Sequence, residues 1–162
     1  MAENIIIPET ATGKLNRYQI LLPQIEALVE GEKDQIANLA NVVAALKEAL
    51  NFFWIGVYFV KNQHLVLGPF QGPVACTRIR KGRGVCGTSW EHAKTLIVPD
   101  VEKFPGHIAC SSLSRSEIVI PVIRNDKVVA VLDADSSALN EFDITDQHYL
   151  EAMVDLLDFS LE

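Results

Sequence analysis

Three carboxylates gather around one predicted β-hairpin. In the segment VLDADS, Asp133 and Asp135 lie two residues apart, so their side chains share one face of a strand, together with Val129 and Val131. Glu117 opens the preceding apolar segment, EIVIPVIR, and the dipeptide ND between the two segments favours a tight turn. Pairing outward from that turn places Glu117 opposite about position 134, beside both aspartates.

Such a cluster could carry out acid–base chemistry. Because like charges repel, at least one of the three carboxyl groups should have a raised pKa and stay protonated near neutrality. A protonated carboxylic acid can donate a proton or a strong hydrogen bond to an oxygen atom. Two alternatives stay open: three solvated acids at a polar strand end, or ligands for a hard cation, which Asp-x-Asp with a Glu also suits.

Three cysteines form the second candidate group. Cys76, Cys86 and Cys110 contain no C-x-x-C pair, and the spacing of His107 and Cys110 is not typical of zinc sites. Cys86 lies near the predicted start of a short helix, where the dipole would lower the pKa of a thiol. Cys110 lies among serines in a polar loop. Either could be a thiolate nucleophile. Two alternatives stay open: a cysteine nucleophile paired with His92 or His107, or cysteines that are only small buried hydrophobic residues.

The segment FFWIGVYFV predicts a strand with Trp54, Gly56 and Tyr58 on one face. These residues could form an aromatic wall with a glycine gap for a small ligand, or two of them could be core aromatics. The segments GPFQGP and KGRGVCG could shape loops close to such a ligand, or could be simple turns.

Hydrophobic periodicity predicts the elements that would position these groups. Two helices come first: 15–30, which Pro23 kinks or divides, and 34–50, with Asp34 at its N-terminal end. The final segment, DITDQHYLEAMVDLLDFSLE, is predicted to be an amphipathic helix. Between them we expect a short helix at 84–93 and strands at 52–60, 63–70, 75–81, 95–100, 117–124 and 127–135. This order favours an α+β fold with a central, mostly antiparallel sheet and the N- and C-terminal helices packed on one face.

The composition limits the classes of function. The 162 residues suit one domain, with 49% hydrophobic and 22% charged residues. A net charge of −7 and the lack of a basic run argue against a nucleic-acid partner. No apolar run is long enough for a membrane span, and the N-terminus does not resemble a signal peptide, so we expect a cytoplasmic protein. In a reducing compartment, the cysteines are not expected to form a permanent disulfide framework.

Several segments together resemble the GAF-domain free methionine-R-sulfoxide reductases. These segments are FFWIGVYFV, GPFQGPVACTRI, GRGVCG, HIACSSLSRSEIVIPV and VLDADS. The cysteines also fall at the family's spacing of ten and then twenty-four residues. The resemblance implies a single GAF-like domain over 15–162, preceded by an N-terminal extension at 1–14.

The resemblance also implies a role for each cysteine. Cys110 matches the catalytic cysteine, and Cys86 and Cys76 match the cysteines that can resolve it, with the choice between them left open. Thiolate attack on the sulfoxide would give methionine and a cysteine sulfenic acid, which a second thiol converts to a disulfide. Thioredoxin would then reduce that disulfide as an external partner, and no bound cofactor or metal is implied.

The substrate site follows from the same resemblance. Glu117, Asp133 and Asp135 match acidic residues that hold and polarise the substrate, and Trp54 matches an aromatic residue on its methyl–sulfur end. Strand parity adds Tyr58 to this group. The acids could bind the ammonium group as well as the sulfoxide oxygen, and backbone amides of the 108–116 loop could bind the carboxylate.

The resemblance further implies a homodimer. Three other functions compete with the reductase: a GAF-type sensor of a small molecule or of redox state, a metal-dependent hydrolase that uses the acids, and a purely structural protein. The sensor would show no turnover on methionine sulfoxide, and the hydrolase would lose its activity with a chelator. A structural protein would not explain both the acid cluster and the thiols.

Overall fold

The computed structural model describes residues 4–108, 110–157 and 159. Within these residues the chain forms an α+β fold, as predicted. Its helices are α1 (Lys14–Val29), α2 (Gln35–Leu50), α3 (Gly84–His92) and α4 (Ile144–Asp155), with a 3-10 turn at Val101–Lys103. Its strands are β1 (Trp54–Lys61), β2 (His64–Gln71), β3 (Arg78–Arg80), β4 (Leu96–Val98), β5 (Ser116–Arg124) and β6 (Lys127–Ser136). None of the described helices combines the length and apolar character that a membrane span requires.

The six strands form one antiparallel sheet in the order β3-β2-β1-β6-β5-β4. Strands β6 and β5 are the longest, with ten and nine residues, β1 and β2 have eight residues each, and β3 and β4 are short edge strands of three residues each. The strand predicted at 75–81 is therefore reduced to its last residues, and the preceding part is a loop. The candidate aromatic residues lie on β1, and the candidate acidic residues lie on β5 and β6.

The two N-terminal helices form where periodicity predicts them. The Asp34 carboxylate accepts a hydrogen bond from the Ala37 N–H at 2.8 Å and so caps the N-terminus of α2. Pro23 lies inside α1, which continues through it as one helix. The alternative in which Pro23 starts a second helix is therefore wrong.

The three long helices cover one face of the sheet, as predicted. Tyr18 and Leu21 of α1, Leu46 of α2 and Leu150 of α4 are fully buried against Ile118 and neighbouring strand residues. At the start of α4, the buried Asp146 accepts hydrogen bonds from the Tyr18 hydroxyl and the Lys14 ammonium. These bonds tie α1 to α4 and hold the helical layer in place.

Residues before α1 also contact this layer. Ile5 and Ile7 pack against the helical core, and the Ile6 N–H donates to the side-chain Oε1 of Gln24 at 2.8 Å. The division into an extension at 1–14 and a domain at 15–162 stays a prediction.

The β5–β6 hairpin fixes the register of the acidic residues. Asn125 and Asp126 both have positive φ angles (50° and 60°), as a type I′ turn requires. A bulge at Val129 then shifts the ladder by one residue, so Glu117 lies opposite Asp135 and not position 134. The same bulge turns Val129 toward the helical layer, so the prediction that it shares a face with the aspartates is wrong.

Candidate active site

A pocket lies on the face of the sheet opposite the long helices. α3 and two loops, 72–77 and 104–115, surround it. Seven of the eight residues that the sequence analysis assigns to the site line this pocket: Trp54, Tyr58, Cys86, Cys110, Glu117, Asp133 and Asp135. The eighth, Cys76, is bonded to one of them.

The three acidic residues line the pocket on adjacent central strands. Glu117 and Asp133 are each only 6% exposed, so the interpretation that all three acids are solvated is wrong. Burial raises the pKa of Glu117 well above its usual value, and the charges of Asp133 and Asp135 raise it further. Burial, and then the charge of Asp135, likewise raises the pKa of Asp133. The cluster therefore holds protons near neutrality.

Asp135, the third member of the cluster, also has a raised pKa. Burial raises its pKa to about 6, and a hydrogen bond donated by the Ser114 hydroxyl opposes that rise. Ser114 lies four residues after Cys110, so this bond ties the Cys110 loop to β6. The sequence analysis did not single out Ser114. Its place among the serines before β5 was the only available signal.

One carboxylate oxygen in the pocket has no hydrogen-bond partner. Asp133 Oδ1 is buried and unpaired among the described residues. A buried polar atom without a partner is unfavourable by about 1–3 kcal/mol. Because Asp133 lines the pocket, a ligand with an N–H or O–H donor would relieve this cost.

Cys86 is a neutral thiol in the acidic part of the pocket. Its Sγ lies 3.9 Å from Glu117 Oε1, to which its S–H donates. Burial, followed by the charges of Asp133 and Glu117, raises the pKa of the thiol well above its usual value. The expectation that the α3 dipole lowers this pKa is wrong, because the loss of water and two adjacent carboxylates outweigh the dipole of a nine-residue helix.

The other two cysteines form a disulfide. Cys76 and Cys110 are bonded with a Cα–Cα distance of 5.6 Å, inside the usual range for a disulfide. The bond joins the loop before β3 to the loop before β5. The structure therefore pairs Cys110 with Cys76, and Cys86 is the free thiol.

Trp54 and Tyr58 form an aromatic wall, as strand parity predicts. Their ring centroids are 6.0 Å apart, and Trp54 also stacks on Phe70 at 5.6 Å. A Cβ on Gly56 would lie 2.4 Å from the Trp54 ring, so only glycine leaves room for this ring position. The Tyr58 hydroxyl donates to the Cys76 carbonyl at 3.0 Å, and the Trp54 indole N–H donates to the Pro73 carbonyl at 3.0 Å.

The two histidines considered as bases lie in different environments. His107 lines the pocket, and burial lowers its pKa, so it is neutral at physiological pH. Its Nδ1 is buried without a hydrogen-bond partner among the described residues. His92 is exposed at the end of α3, where its contact is Glu91, and it is not a pocket residue. The alternative of a nucleophile paired with His92 is therefore wrong.

A metal ion would find three donors here. The Cys86 sulfur and one oxygen each of Glu117 and Asp133 lie within 4.8 Å of one another. This mixed donor set fits zinc better than a hard cation such as Mg²⁺ or Ca²⁺. A cation would have to displace protons from all three groups, which burial makes weak acids.

Comparison with known proteins defines the class first. The sequence pattern of the GAF domain matches residues 35–162. A GAF domain-containing protein A from Dictyostelium discoideum is 62% identical over 159 residues, which cover 98% of this chain and 99% of that protein. The antiparallel sheet with its helical layer agrees with this match.

Two further relatives are more specific. The free methionine-R-sulfoxide reductase of Escherichia coli is 42% identical over 147 residues, covering 90% of this chain and 89% of that protein. The X-ray structure of free methionine-R-sulfoxide reductase from Neisseria meningitidis in complex with its substrate superposes with a TM-score of 0.90 and 50% identity, covering 94% and 93% of the two chains. The chain belongs to the GAF-domain family, within the group of the free methionine-R-sulfoxide reductases.

Proposed function

We propose that this protein reduces free L-methionine-(R)-sulfoxide to methionine with Cys110 as the nucleophile. The observation that carries the proposal is the Cys76–Cys110 disulfide at a pocket that is also lined by three acids with raised pKa values. The reduction of a sulfoxide by a thiol needs both a nucleophilic sulfur and an acid that protonates the leaving oxygen. The relatives named for this activity share most of the length of the chain.

In the first step, the acid cluster activates the sulfoxide. A sulfoxide oxygen leaves poorly as an oxide, and protonation or a strong hydrogen bond makes it a better leaving group. Glu117 and Asp133 have raised pKa values and so carry the proton that is needed. The Cys110 thiolate attacks the substrate sulfur, and oxygen passes from the sulfoxide to Cys110, so methionine and a sulfenic acid form.

In the second step, Cys76 resolves the sulfenic acid. The Cys76 thiol attacks Cys110 Sγ, an S–S bond forms, and the hydroxyl leaves as water. Cys76 is proposed for this step and not Cys86, because it is Cys76 that is bonded to Cys110. A dithiol protein such as thioredoxin then exchanges with the disulfide and restores both thiols, with no bound cofactor.

The free amino acid offers charges that suit the pocket. Its ammonium group can donate to the unpaired Asp133 oxygen and to Asp135, whose pKa of about 6 leaves it ionised at neutral pH. Its methyl–sulfur end would pack on Trp54, and backbone amides of the 108–116 loop would receive its carboxylate. The homodimer and the cytoplasmic location stay predictions.

The test is thioredoxin-coupled NADPH oxidation with three substrates: free methionine-R-sulfoxide, its S epimer and a peptide-bound R-sulfoxide. We expect turnover of the free R epimer only, and none with Cys110→Ser. Absence of turnover on all three, with thioredoxin shown to be active, would contradict the proposal and favour a redox sensor. Activity that a chelator abolishes would favour a metal-dependent enzyme.

A further inference from the structure

We propose that Tyr58 is the positioning residue for Cys76: its hydroxyl holds the backbone of the resolving cysteine where the thiol can capture the Cys110 sulfenic acid. The inference rests on the proposed function and deepens it. It assigns to Tyr58 a role in the second chemical step, in addition to its ring's place in the pocket wall.

The Tyr58 hydroxyl is the donor of the hydrogen bond to Cys76, and its position follows from the packing of the ring. Tyr58 is 1% exposed, and its ring stacks beside Trp54, so packing on the pocket side of the sheet restrains the ring. That hydroxyl donates to the Cys76 carbonyl at 3.0 Å. Burial raises the pKa of the phenol, and the charge of Asp133 adds to the effect, so the hydroxyl remains a donor throughout the physiological range.

The loop that carries Cys76 has few other restraints. Residues 72–77 lack regular secondary structure and are mostly exposed. The Trp54 indole N–H donates to the Pro73 carbonyl, and the Leu67 N–H donates to the Thr77 carbonyl at 3.1 Å. Among the hydrogen bonds of the described residues, the bond from Tyr58 is the one that restrains Cys76 between these two points.

The Cys110 loop is held separately. Ser114 donates to Asp135 on β6, whereas Tyr58 belongs to β1, the strand next to it in the sheet. Two adjacent strands therefore each anchor one of the two cysteine loops. In the disulfide-bonded structure the two Cα atoms lie 5.6 Å apart, within the range of about 4.4–6.8 Å found for disulfides, and both hydrogen bonds are present in that state.

The restraint matters because the sulfenic acid is vulnerable. Before Cys76 attacks, a second oxidant can convert Cys110 to a sulfinic acid, which thiols do not reduce. The capture rate is proportional to the fraction of time that the Cys76 loop spends in the closing geometry. A freed loop would lower that fraction and lengthen the lifetime of the sulfenic acid.

The test is a single turnover of pre-reduced enzyme without a reductant. Wild type, Tyr58→Phe and the control Tyr18→Phe are mixed with free methionine-R-sulfoxide, and methionine, dimedone-trapped sulfenic acid and disulfide are measured over time. Tyr18 is also fully buried and also donates one hydrogen bond, to Asp146, but it lies in the helical layer away from the pocket. The control therefore reports any general effect of losing a buried hydroxyl.

In Tyr58→Phe we expect disulfide closure to slow about tenfold more than methionine release does, because one restraining hydrogen bond is lost. Trapped sulfenic acid should accumulate in this variant, and Tyr18→Phe should behave as wild type. If closure and methionine release slow equally, or if closure is as fast as in wild type, the positioning role is wrong.

Hydrogen peroxide, used in place of the sulfoxide, tests this inference independently of the proposed function. Hydrogen peroxide converts the Cys110 thiol to the sulfenic acid and water without any sulfoxide substrate. Slow closure after peroxide in Tyr58→Phe alone supports the positioning role even if wild type releases no methionine, whereas equal closure in all three proteins overturns it. Absence of methionine from wild type overturns only the reductase proposal.

Discussion

Glu117 lies directly opposite Asp135 in the ladder between β5 and β6. Asp135 in turn lies opposite Trp54 on β1, so the acids are part of the central sheet and not of a free strand end. Loops and α3 cover this face of the sheet, and burial is therefore the largest cause of the raised pKa values of Glu117 and Asp135. The carboxyl groups stay protonated to a higher pH than usual because the fold excludes water from them and places them side by side.

The first prediction concerns stability and pH. Burial raises the pKa of Asp135 to about 6, so between about pH 4 and 6 the folded state binds more protons than the unfolded state. The stabilising contribution of the protonated group is complete below pH 4 and is lost as the pH rises through 6. The free energy of unfolding of the oxidised protein should therefore fall between pH 4.5 and 7.5. In Asp135→Asn that fall should be smaller by about 2 kcal/mol.

Urea unfolding of both proteins at the two pH values measures this difference. Asp100→Asn is a suitable control, because a hydrogen bond with Lys103 lowers the pKa of that half-buried carboxyl. It should not reduce the fall. Parallel pH profiles for wild type and Asp135→Asn would show that Asp135 ionises normally in the folded protein.

The second prediction concerns proton donation to the substrate. Glu117→Gln keeps a hydrogen-bond donor but cannot transfer a proton to the substrate, so kcat should fall by about 10²–10⁴-fold. The fold should tolerate the change, since the amide has the size and the zero charge of the protonated carboxyl group that it replaces. The exposed Glu91→Gln on α3 is the matched control and should retain wild-type kcat. A Glu117→Gln enzyme with normal kcat would exclude this residue as the acid.

The sequence predicts the elements of this site better than their exact register. Alternation places Trp54 and Tyr58 on one face, and the ND turn predicts the β5–β6 hairpin, because both depend on local geometry. The bulge at Val129 moves Glu117 from position 134 to Asp135. Such a bulge results from packing on both faces of the sheet, which a hairpin pattern does not encode.

The chemistry of the cysteines is less accessible to sequence reasoning. A position near a helix N-terminus suggests a lowered pKa for Cys86, but the carboxylates that raise it come from strands 31 or more residues away. Pairing of Cys76 with Cys110 spans 34 residues and depends on two loops whose paths local spacing does not define. The resemblance identifies all three cysteines, and the tertiary structure selects the pair.

The third prediction distinguishes these cysteines in the thioredoxin-coupled assay. Cys76→Ser should release about one methionine per enzyme and then stop, because no disulfide forms for thioredoxin to reduce. Cys86→Ser should continue through many turnovers, since the Cys76–Cys110 pair is intact. Mass spectrometry should find a Cys110 sulfenic acid in the first variant and the disulfide in the second. Continued turnover by Cys76→Ser, with arrest of Cys86→Ser, would reverse the assignment.

The last prediction concerns the glycine behind the aromatic wall. A Cβ at position 56 would lie 2.4 Å from the Trp54 ring and 2.5 Å from Phe70 Cβ, so Gly56→Ala must displace both residues or its own backbone. Because both rings are packed, we expect a loss of about 1–3 kcal/mol in the free energy of unfolding. Movement of Trp54 would also disturb its bond to Pro73 and the packing of the substrate's methyl–sulfur end, so KM should rise.

Gly31→Ala is the control for this substitution. A Cβ at Gly31 meets no atom within 4 Å, although its φ of +81° makes an alanine there strained. The control should therefore lose stability through the backbone alone and keep its KM. Gly56 has no such φ, so any stability lost there reports the clash with the aromatic wall. A Gly56→Ala protein with unchanged KM and unchanged tryptophan fluorescence would show that the Trp54 ring position does not control substrate binding.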